Sequence, residues 1–350
     1  MKQEKVSIII VNYNGKDYLK NCVHSILKNN YSHYEIIVVD NNSTDGSFEM
    51  MKKEFGNLDF VRVIQLDKNY GPALARNSGV EAAEGKIIGF LDNDTEVDPD
   101  WIATVIKYFE QDRKVGAIQC KLLFFNDRKK IDYAGEYLGS LGFLVHVASF
   151  QEEDRGQHDC LYEVLAAKSA GMFIRKDVFE KIGGFDEDYF IFTEETDLGW
   201  RACLSGYKVI FAYDSRVFHH FSSTNLIVSK NFNNYLVRFH GTKNYIMTLY
   251  KNLSFKNLIL ILPKHIFLWI CLSGYLFFQG NFDSALNIIK AIFWNIKNYP
   301  KNRVKRKLIQ KTRVVSDKEL FKIVYKKIGI LYYLKKFLAS QKQLITTENQ

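Results

Sequence analysis

Proline is scarce in this chain, 4 of 350 residues, so long disordered linkers are not expected. The five cysteines (Cys22, Cys120, Cys160, Cys203 and Cys271) form no CxxC pair. A zinc site and a disulfide framework are both disfavoured, and a reducing compartment is the expectation. No GxGxxG follows the first strand-like run, and GxxxxGK[ST] is missing. A dinucleotide oxidoreductase and a P-loop enzyme are disfavoured. The opening apolar run, Val6–Val11, is too short for a signal peptide and gives way to Asn12-Tyr13-Asn14. Acidic residues thin out toward the end. Residues 1–220 carry a net charge of about −9 and residues 221–350 about +18. That bias implies an anionic surface as partner for the tail, nucleic acid or membrane. The tail holds no recognisable nucleic-acid motif, so membrane is the expected partner and nucleic acid is not.

What is present is a packed-core composition, 47% hydrophobic. Val6–Val11, Glu35–Asp40, Phe60–Leu66 and Lys86–Leu91 read as short buried strands. Gly15–Lys28 and Gly71–Ala83 have helical spacing, and Asp98-Pro99-Asp100 opens another helix. Strand–helix alternation implies βαβ units in a mostly parallel, doubly wound sheet. Further strands are expected at Val115–Cys120, Lys168–Arg175 and Lys208–Ala212, with a helix over Glu194–Ser205. After His220 the pattern turns helical, aromatic and basic. The boundary is placed within 221–231, giving an α/β domain over residues 1–225 and a helical region over 226–350.

In open parallel sheets ligands bind beyond the carboxyl ends of the strands. Asp92-Asn93-Asp94 follows such a strand, Ile87–Leu91. Two carboxylates two apart suit a hard cation, Mg²⁺ or Mn²⁺, beside a departing diphosphate; the plain alternative is an acidic turn. Asp40 ends another strand and can accept from a ribose or base N–H, or cap a turn. Glu194, Glu195 and Asp197 fall in the first turn of a helix, where the macrodipole favours acids, and Asp197 pairs with Arg201 at i,i+4. Glu195 there can also act as a general base. His219-His220 closes Ser215–Phe218, and one imidazole can complete a metal shell or simply be a hydrogen-bonded residue.

Taken in order, VSIIIVNYNG, IIVVDNNSTDGS, NYGPALARNSG, IIGFLDNDTEVDPDW, SAGMFIRKDVFEKIGGFDEDYF, TEETDLGWRACLSGYKV and SRVFHH resemble family 2 glycosyltransferases of the GT-A fold. The rhamnosyltransferase-like branch of cell-surface polysaccharide synthesis is the nearest in pattern. The resemblance covers about residues 5 to 220; the tail string KRKLIQKTRVVSDKEL is a weaker match. It implies a GT-A fold, Rossmann-like with a mostly parallel sheet between helices, and an inverting transfer from a nucleoside-diphosphate sugar, UDP- or dTDP-linked. It implies that Val11, Tyr13, Asp40, Asn69 and Asp92 hold the nucleotide. Asp94, with Asp92 and His219, holds the metal. The base lies in the pair Glu194-Glu195, where Glu replaces the usual second Asp, with Asp197 following. Gly171, Trp200 and Arg201 fall on the acceptor side. The acceptor implied is a lipid-linked glycan or other glycan. A catalytically degenerate scaffold is an alternative, though the intact acids and His argue against it; a nucleotidyltransferase is another, though its Gly- and Lys-rich phosphate loop is missing.

Leu258–Phe278 is the most apolar stretch, interrupted by Pro263-Lys264-His265. Its length is close to a span. Lys264 costs about 2.5–3.5 kcal/mol at a helix centre, and a span would put the basic stretch Lys297–Lys327 opposite the catalytic side. The expectation is therefore a helix or helical hairpin lying in the cytoplasmic leaflet of the cell membrane against anionic lipid. A buried subdomain helix or a homo-oligomer interface is the alternative.

Overall fold

The computed structural model describes residues 4–148, 151–220, 235–329 and 331–333. The expected boundary within 221–231 lies outside the described residues.

The first half is built of the expected βαβ units. Strand β1 (Val6–Asn12) alternates sharply: Val6, Ile8 and Ile10 pack on one face of the sheet and Ile9 on the other. Both faces are covered, so the run is apolar at nearly every position. Then come α1 (Lys16–Leu27), β2 (Tyr34–Asp40), α2 (Ser47–Phe55), β3 (Val61–Gln65), α3 (Pro72–Ala82) and β4 (Ile87–Asp92). Helix α3 starts with Pro72 at its first position, where the missing N–H costs nothing. The four strands run parallel in the order β4-β1-β2-β3.

The second half extends the sheet. Its elements are β5 (Thr95–Val97), α4 (Trp101–Gln111), β6 (Val115–Phe124), β7 (Ile131–Tyr133), β8 (Glu136–Gly139), β9 (Leu144–His146) and β10 (Tyr162–Glu163). Next are β11 (Met172–Arg175), α5 (Lys176–Lys181), α6 (Glu194–Leu204) and β12 (Lys208–His219). Strand β11 is antiparallel to both β4 and β6, while β12 runs parallel to β6. The strand expected over Lys168–Arg175 is split: Ser169–Gly171 forms a single 3₁₀ turn before β11. Lys208–Ala212 and Ser215–Phe218 are one long strand with a register shift between them.

After residue 234 a π-helical turn (Tyr235–His240) leads into the α-helices α7 (Gly241–Asn252), α8 (Phe255–Phe278), α9 (Phe282–Lys297), α10 (Tyr299–Thr312) and α11 (Asp317–Val324). They are not appended to a finished domain. Leu249 and Leu253, with Ile261, Leu320 and Val324, belong to the same buried cluster as Ile9, Phe90 and Trp200. A short strand, β13 (Tyr325–Lys326), pairs with β8. Pro263 lies inside α8 without ending it; it removes one i→i−4 bond, and the helix turns back at Gln279–Asn281 to form a hairpin with α9.

Candidate active site

The site forms where β1, β2 and β4 end together. Asn12, buried at the end of β1, ties the three strand ends: its Nδ2 donates to Asp40 Oδ1 (3.0 Å) and its Oδ1 accepts from Asn93 Nδ2 (2.7 Å). Gly15 is required beside it, since a Cβ would lie 1.8 Å from Asn93 Nδ2.

Strand β4 carries Asp92 to the sheet edge, and the chain turns at Asn93-Asp94 into β5. Strand β5 then pairs antiparallel with β12, bringing His219 opposite Thr95. That pairing assembles residues 125 positions apart: ligand atoms of Asp92, Asp94 and His219 lie within 4.8 Å of one another. His219 Nε2 is 3.3 Å from Asp94 Oδ1, and its Nδ1 is 2.8 Å from Asp132 Oδ2 on β7. Burial alone would lower the imidazole pKa, but hydrogen bonds and charge from Asp132 and Asp94 outweigh it and hold it up at about 10. Two hard oxygens and an imidazole, oriented from behind by a carboxylate, fit a divalent cation such as Mg²⁺ or Mn²⁺. His220 points elsewhere: it stacks on Phe125 and lies 3.4 Å from Glu96.

Asp92 keeps 35% of its side-chain surface open. Even so its pKa is raised, first by desolvation at the floor of the site, with Asp94 adding to it and Arg76 opposing. Arg76, on α3, is the buried hub. Its guanidinium is 3.2 Å from Asp92, 2.8 Å from Glu194 and 3.9 Å from Glu195.

The two glutamates differ. Glu194 is turned inward onto Arg76; burial first, then the charge of Glu195, pushes its pKa up. Glu195 is 18% exposed, and its Oε1 accepts from Ser169 N (3.1 Å) and Oγ (2.6 Å). Ser169 Oγ also lies 3.5 Å from Asp92 Oδ1. The acid pair and the metal-type cluster are therefore one constellation.

On the nucleotide side, Val11 is half-buried between β2 and β4, and Tyr13 is exposed at the rim. Asp40 is already engaged by Asn12 and by Ser43 N (2.9 Å); a carboxylate has about four acceptor sites, so capacity remains. Asn69 accepts from Asn41 and from Gly71 N, bracing the turn before α3.

Four expected site residues are corrected. Asp197 is fully buried, bound by Arg201 (2.8 Å), Asn252 (2.8 Å) and Lys251 (3.0 Å). Arg201 Nη1 and Nη2 donate to the carbonyls of Ile182 and Gly184. Trp200 is fully enclosed in the core. These three lie on the inner face of α6, which the acids of its first turn concealed. Gly171 is buried against Leu122 and Val217, where a Cβ would come within 2.6 Å; close packing accounts for it. Missing from the sequence reading were Arg76, Ser169 and Asp132. Arg76 and Ser169 stand inside quoted strings, but no local pattern marks an arginine whose acids lie 16 and 118 positions away.

The profile of glycosyl transferase family 2 matches residues 7–183, half of the chain, and the chain belongs to that family. It is similar to O-antigen biosynthesis protein RfbC of Myxococcus xanthus, 30% identical over 63% of this chain and 18% of that protein. It is 35% identical to putative teichuronic acid biosynthesis glycosyltransferase TuaG of Bacillus subtilis over 29% of this chain and 41% of TuaG. It is 27% identical to glycosyltransferase AglE of Haloferax volcanii over 60% of this chain and 64% of AglE. The chain thus spans less than two thirds of each of these curated relatives. Among solved structures it shares the fold of S. aureus TarS 1-349 in complex with UDP-GlcNAc (TM-score 0.57, 18% identity, 88% of this chain, 89% of that one). It also shares that of mannosyltransferase PcManGT from Pyrobaculum calidifontis with GDP-Man and Mn2+ (TM-score 0.52, 16% identity, 89% and 86%). The fold is GT-A.

Proposed function

We propose that this chain is an inverting glycosyltransferase moving a sugar from a nucleoside-diphosphate sugar, UDP- or dTDP-linked, to a hydroxyl of a lipid-linked glycan in cell-surface polysaccharide synthesis. One observation carries the reading: Asp92, Asp94 and His219 converge with Glu195, joined through Ser169, at the carboxyl ends of the strands. The names of RfbC and TuaG support a surface glycan as product class, and TarS and PcManGT, solved with nucleotide sugars, support the donor class.

Asp92, Asp94 and His219 would hold Mg²⁺ or Mn²⁺, and the ion, when bound, supplies fixed positive charge beside the departing diphosphate. Asp132 engages His219 Nδ1 and so directs Nε2 toward Asp94. Glu195 takes the proton of the acceptor hydroxyl as that oxygen bonds to the anomeric carbon. The bond from that carbon to the diphosphate oxygen breaks, and its electron pair leaves with the diphosphate. Attack opposite the leaving group inverts the carbon. Ser169 orients Glu195 with two hydrogen bonds, and Arg76 offsets the repulsion among Asp92, Glu194 and Glu195.

The same proposal places the enzyme on the cytoplasmic face of the cell membrane. Helix α8 is long and apolar enough to cross a membrane. Its buried residues, Ile261, His265, Trp269, Ser273 and Leu276, form one stripe. Helix α9 buries Ala285, Ile288 and Ala291, but a large apolar part of the hairpin points outward, with Phe267 63%, Phe278 89% and Phe293 64% exposed. Exposed Arg303, Lys307 and Lys311 follow at four-residue spacing on α10, cations suited to anionic lipid.

A hydrolysis panel of UDP-, dTDP- and GDP-sugars with Mn²⁺ tests the donor. Turnover of one donor, abolished by EDTA and lowered at least about tenfold by Asp94→Asn, is the expected outcome. Full activity of Asp94→Asn in excess EDTA rejects the metal assignment.

A further inference from the structure

The glutamate pair is presented by a backbone that does not hold itself. Phe190 (φ 61°), Phe192 (φ 71°) and Thr193 (φ 60°) all have positive φ immediately before Glu194. For residues with a Cβ each such conformation costs on the order of 1–3 kcal/mol and persists only where surroundings impose it. There is no slack on the α3 side: Gly71, itself at φ 81°, lies so near Phe190 O that a Cβ would come within 2.5 Å.

The surroundings are supplied by α7. Asn244, fully buried, shares the two N–H groups of its Nδ2 among three carbonyls of this segment, Tyr189 (3.1 Å), Ile191 (2.7 Å) and Phe192 (2.7 Å). Lys243 Nζ donates to the carbonyls of Asp188 and Tyr189. Thr248 Oγ1 meets the Tyr189 hydroxyl at 2.6 Å. One turn further, Lys251 and Asn252 hold Asp197, which sits on α6 just after the glutamates. Residues 243, 244, 248, 251 and 252 share one face at helical spacing. A helix that only covered a core would be apolar there, because burying polar groups is costly unless each is paired. Asn244 Oδ1 finds no partner among the described residues, so that buried carboxamide is used as a donor alone.

We propose that α7 is a clamp that sets the position of Glu194-Glu195, with Asn244 as its central positioning residue. This rests on the assignment of Glu195 as the base. The region after residue 234 thereby belongs to the catalytic architecture and is not only an anchor. Asn244 bonds to the carbonyls of Tyr189, Ile191 and Phe192 and acts through them, as a positioning residue.

The test uses the full chain with Asn244→Ala and Thr248→Val. Hydrogen exchange in the peptide covering residues 186–197 is expected to rise at least about tenfold in Asn244→Ala, with β1 to β4 unchanged. The kcat of sugar transfer or donor hydrolysis falls about tenfold to 10²-fold, as displacement of a reacting group by about 1 Å can do. Affinity for the nucleotide the wild type binds, measured with Mn²⁺ by calorimetry, stays within about threefold. Unchanged exchange over 186–197 overturns the clamp, and so does a uniform rise over the whole chain with kcat and affinity falling together. Should Asn244→Ala not fold, Thr248→Val carries the same readouts with smaller changes in the same direction, and no change there overturns the proposal. A wild type that turns over no nucleotide sugar rejects the functional reading instead, while the exchange result still decides the clamp.

Discussion

Glu194 and Glu195 are chain neighbours with opposite environments. Glu194 is spent on Arg76, whereas Glu195 faces the site with Ser169 behind it. The expected outcome for Glu195→Gln, which keeps the shape but cannot take a proton, is a loss of about 10²–10⁴ in kcat with donor affinity nearly unchanged. Glu194→Gln should cost less in kcat and more in stability, because it leaves a buried guanidinium short of a charged partner. Steady-state kinetics on both variants decide it; the large kcat loss appearing in Glu194→Gln instead shifts the base by one position. The carboxylates and the His219-His220 pair were legible as candidates because strand-end position and residue type carry chemistry locally. Which glutamate faces out was not, because helix phase at a first turn depends on what α6 packs against.

At the scale of elements, α8 combines a protein-facing stripe with an outward apolar surface, and His265 sits at the centre of that stripe. Its Nδ1 donates to Leu141 O (2.9 Å), and its Nε2 accepts from Trp269 Nε1 (2.9 Å). Phe143 and Tyr245 pack beside the ring, and Tyr245 is the titratable group among them. Protonation would set an N–H against the Trp269 N–H. Burial accordingly lowers the His265 pKa from 6.5 to about 4. The unfolded chain binds this proton first as pH falls, so the stabilising contribution is complete above about 6.5, declines from there to about 4, and is gone below. The full effect is up to about 3 kcal/mol. Urea unfolding at pH 7 and pH 4.5 is expected to show a larger loss of midpoint in the wild type than in His265→Gln; equal losses reject this account. The sequence reading took Pro263-Lys264-His265 as an interruption. The helix runs through it because Lys264 points to solvent while His265 is satisfied within the protein.

Across the whole molecule, the basic tail is partly consumed by the protein itself. Lys301 and Lys305 pair with Asp188 and Asp186, while Arg306 and Arg313 donate to carbonyls at the end of α7. The charge left for lipid is smaller than the count of about +18 suggests, and Arg303, Lys307 and Lys311 form its core. Each cation near an anionic surface contributes about 1 kcal/mol. The full chain is expected to float with vesicles containing phosphatidylglycerol and to bind pure phosphatidylcholine less. Replacing the three by Glu should remove most of that difference; undiminished binding argues against an electrostatic contribution. A cysteine at position 311 labelled only from the face opposite the catalytic domain would show a true span. A fragment ending at residue 220 is not a fair soluble control. It leaves Asp197 with Arg201 alone, stripped of Lys251 and Asn252, and uncovers the core surface that Leu249, Leu253 and Ile261 bury.

The sequence alone determined the βαβ order, the strand ends and the polar residue types at them, since apolar runs of period two and turn residues act over a few positions. It also determined the family, because the strings that carry it are contiguous. Tertiary structure decided the rest: that β5 pairs with β12 and so selects His219 over His220, and that Arg76 and Ser169 join the acids into one site. It also decided that Asp197, Trp200 and Arg201 face inward, and that α7 shares a core with the sheet. These are contacts between residues tens to over a hundred positions apart. Their partners are chosen by packing and burial, which no local window of sequence contains.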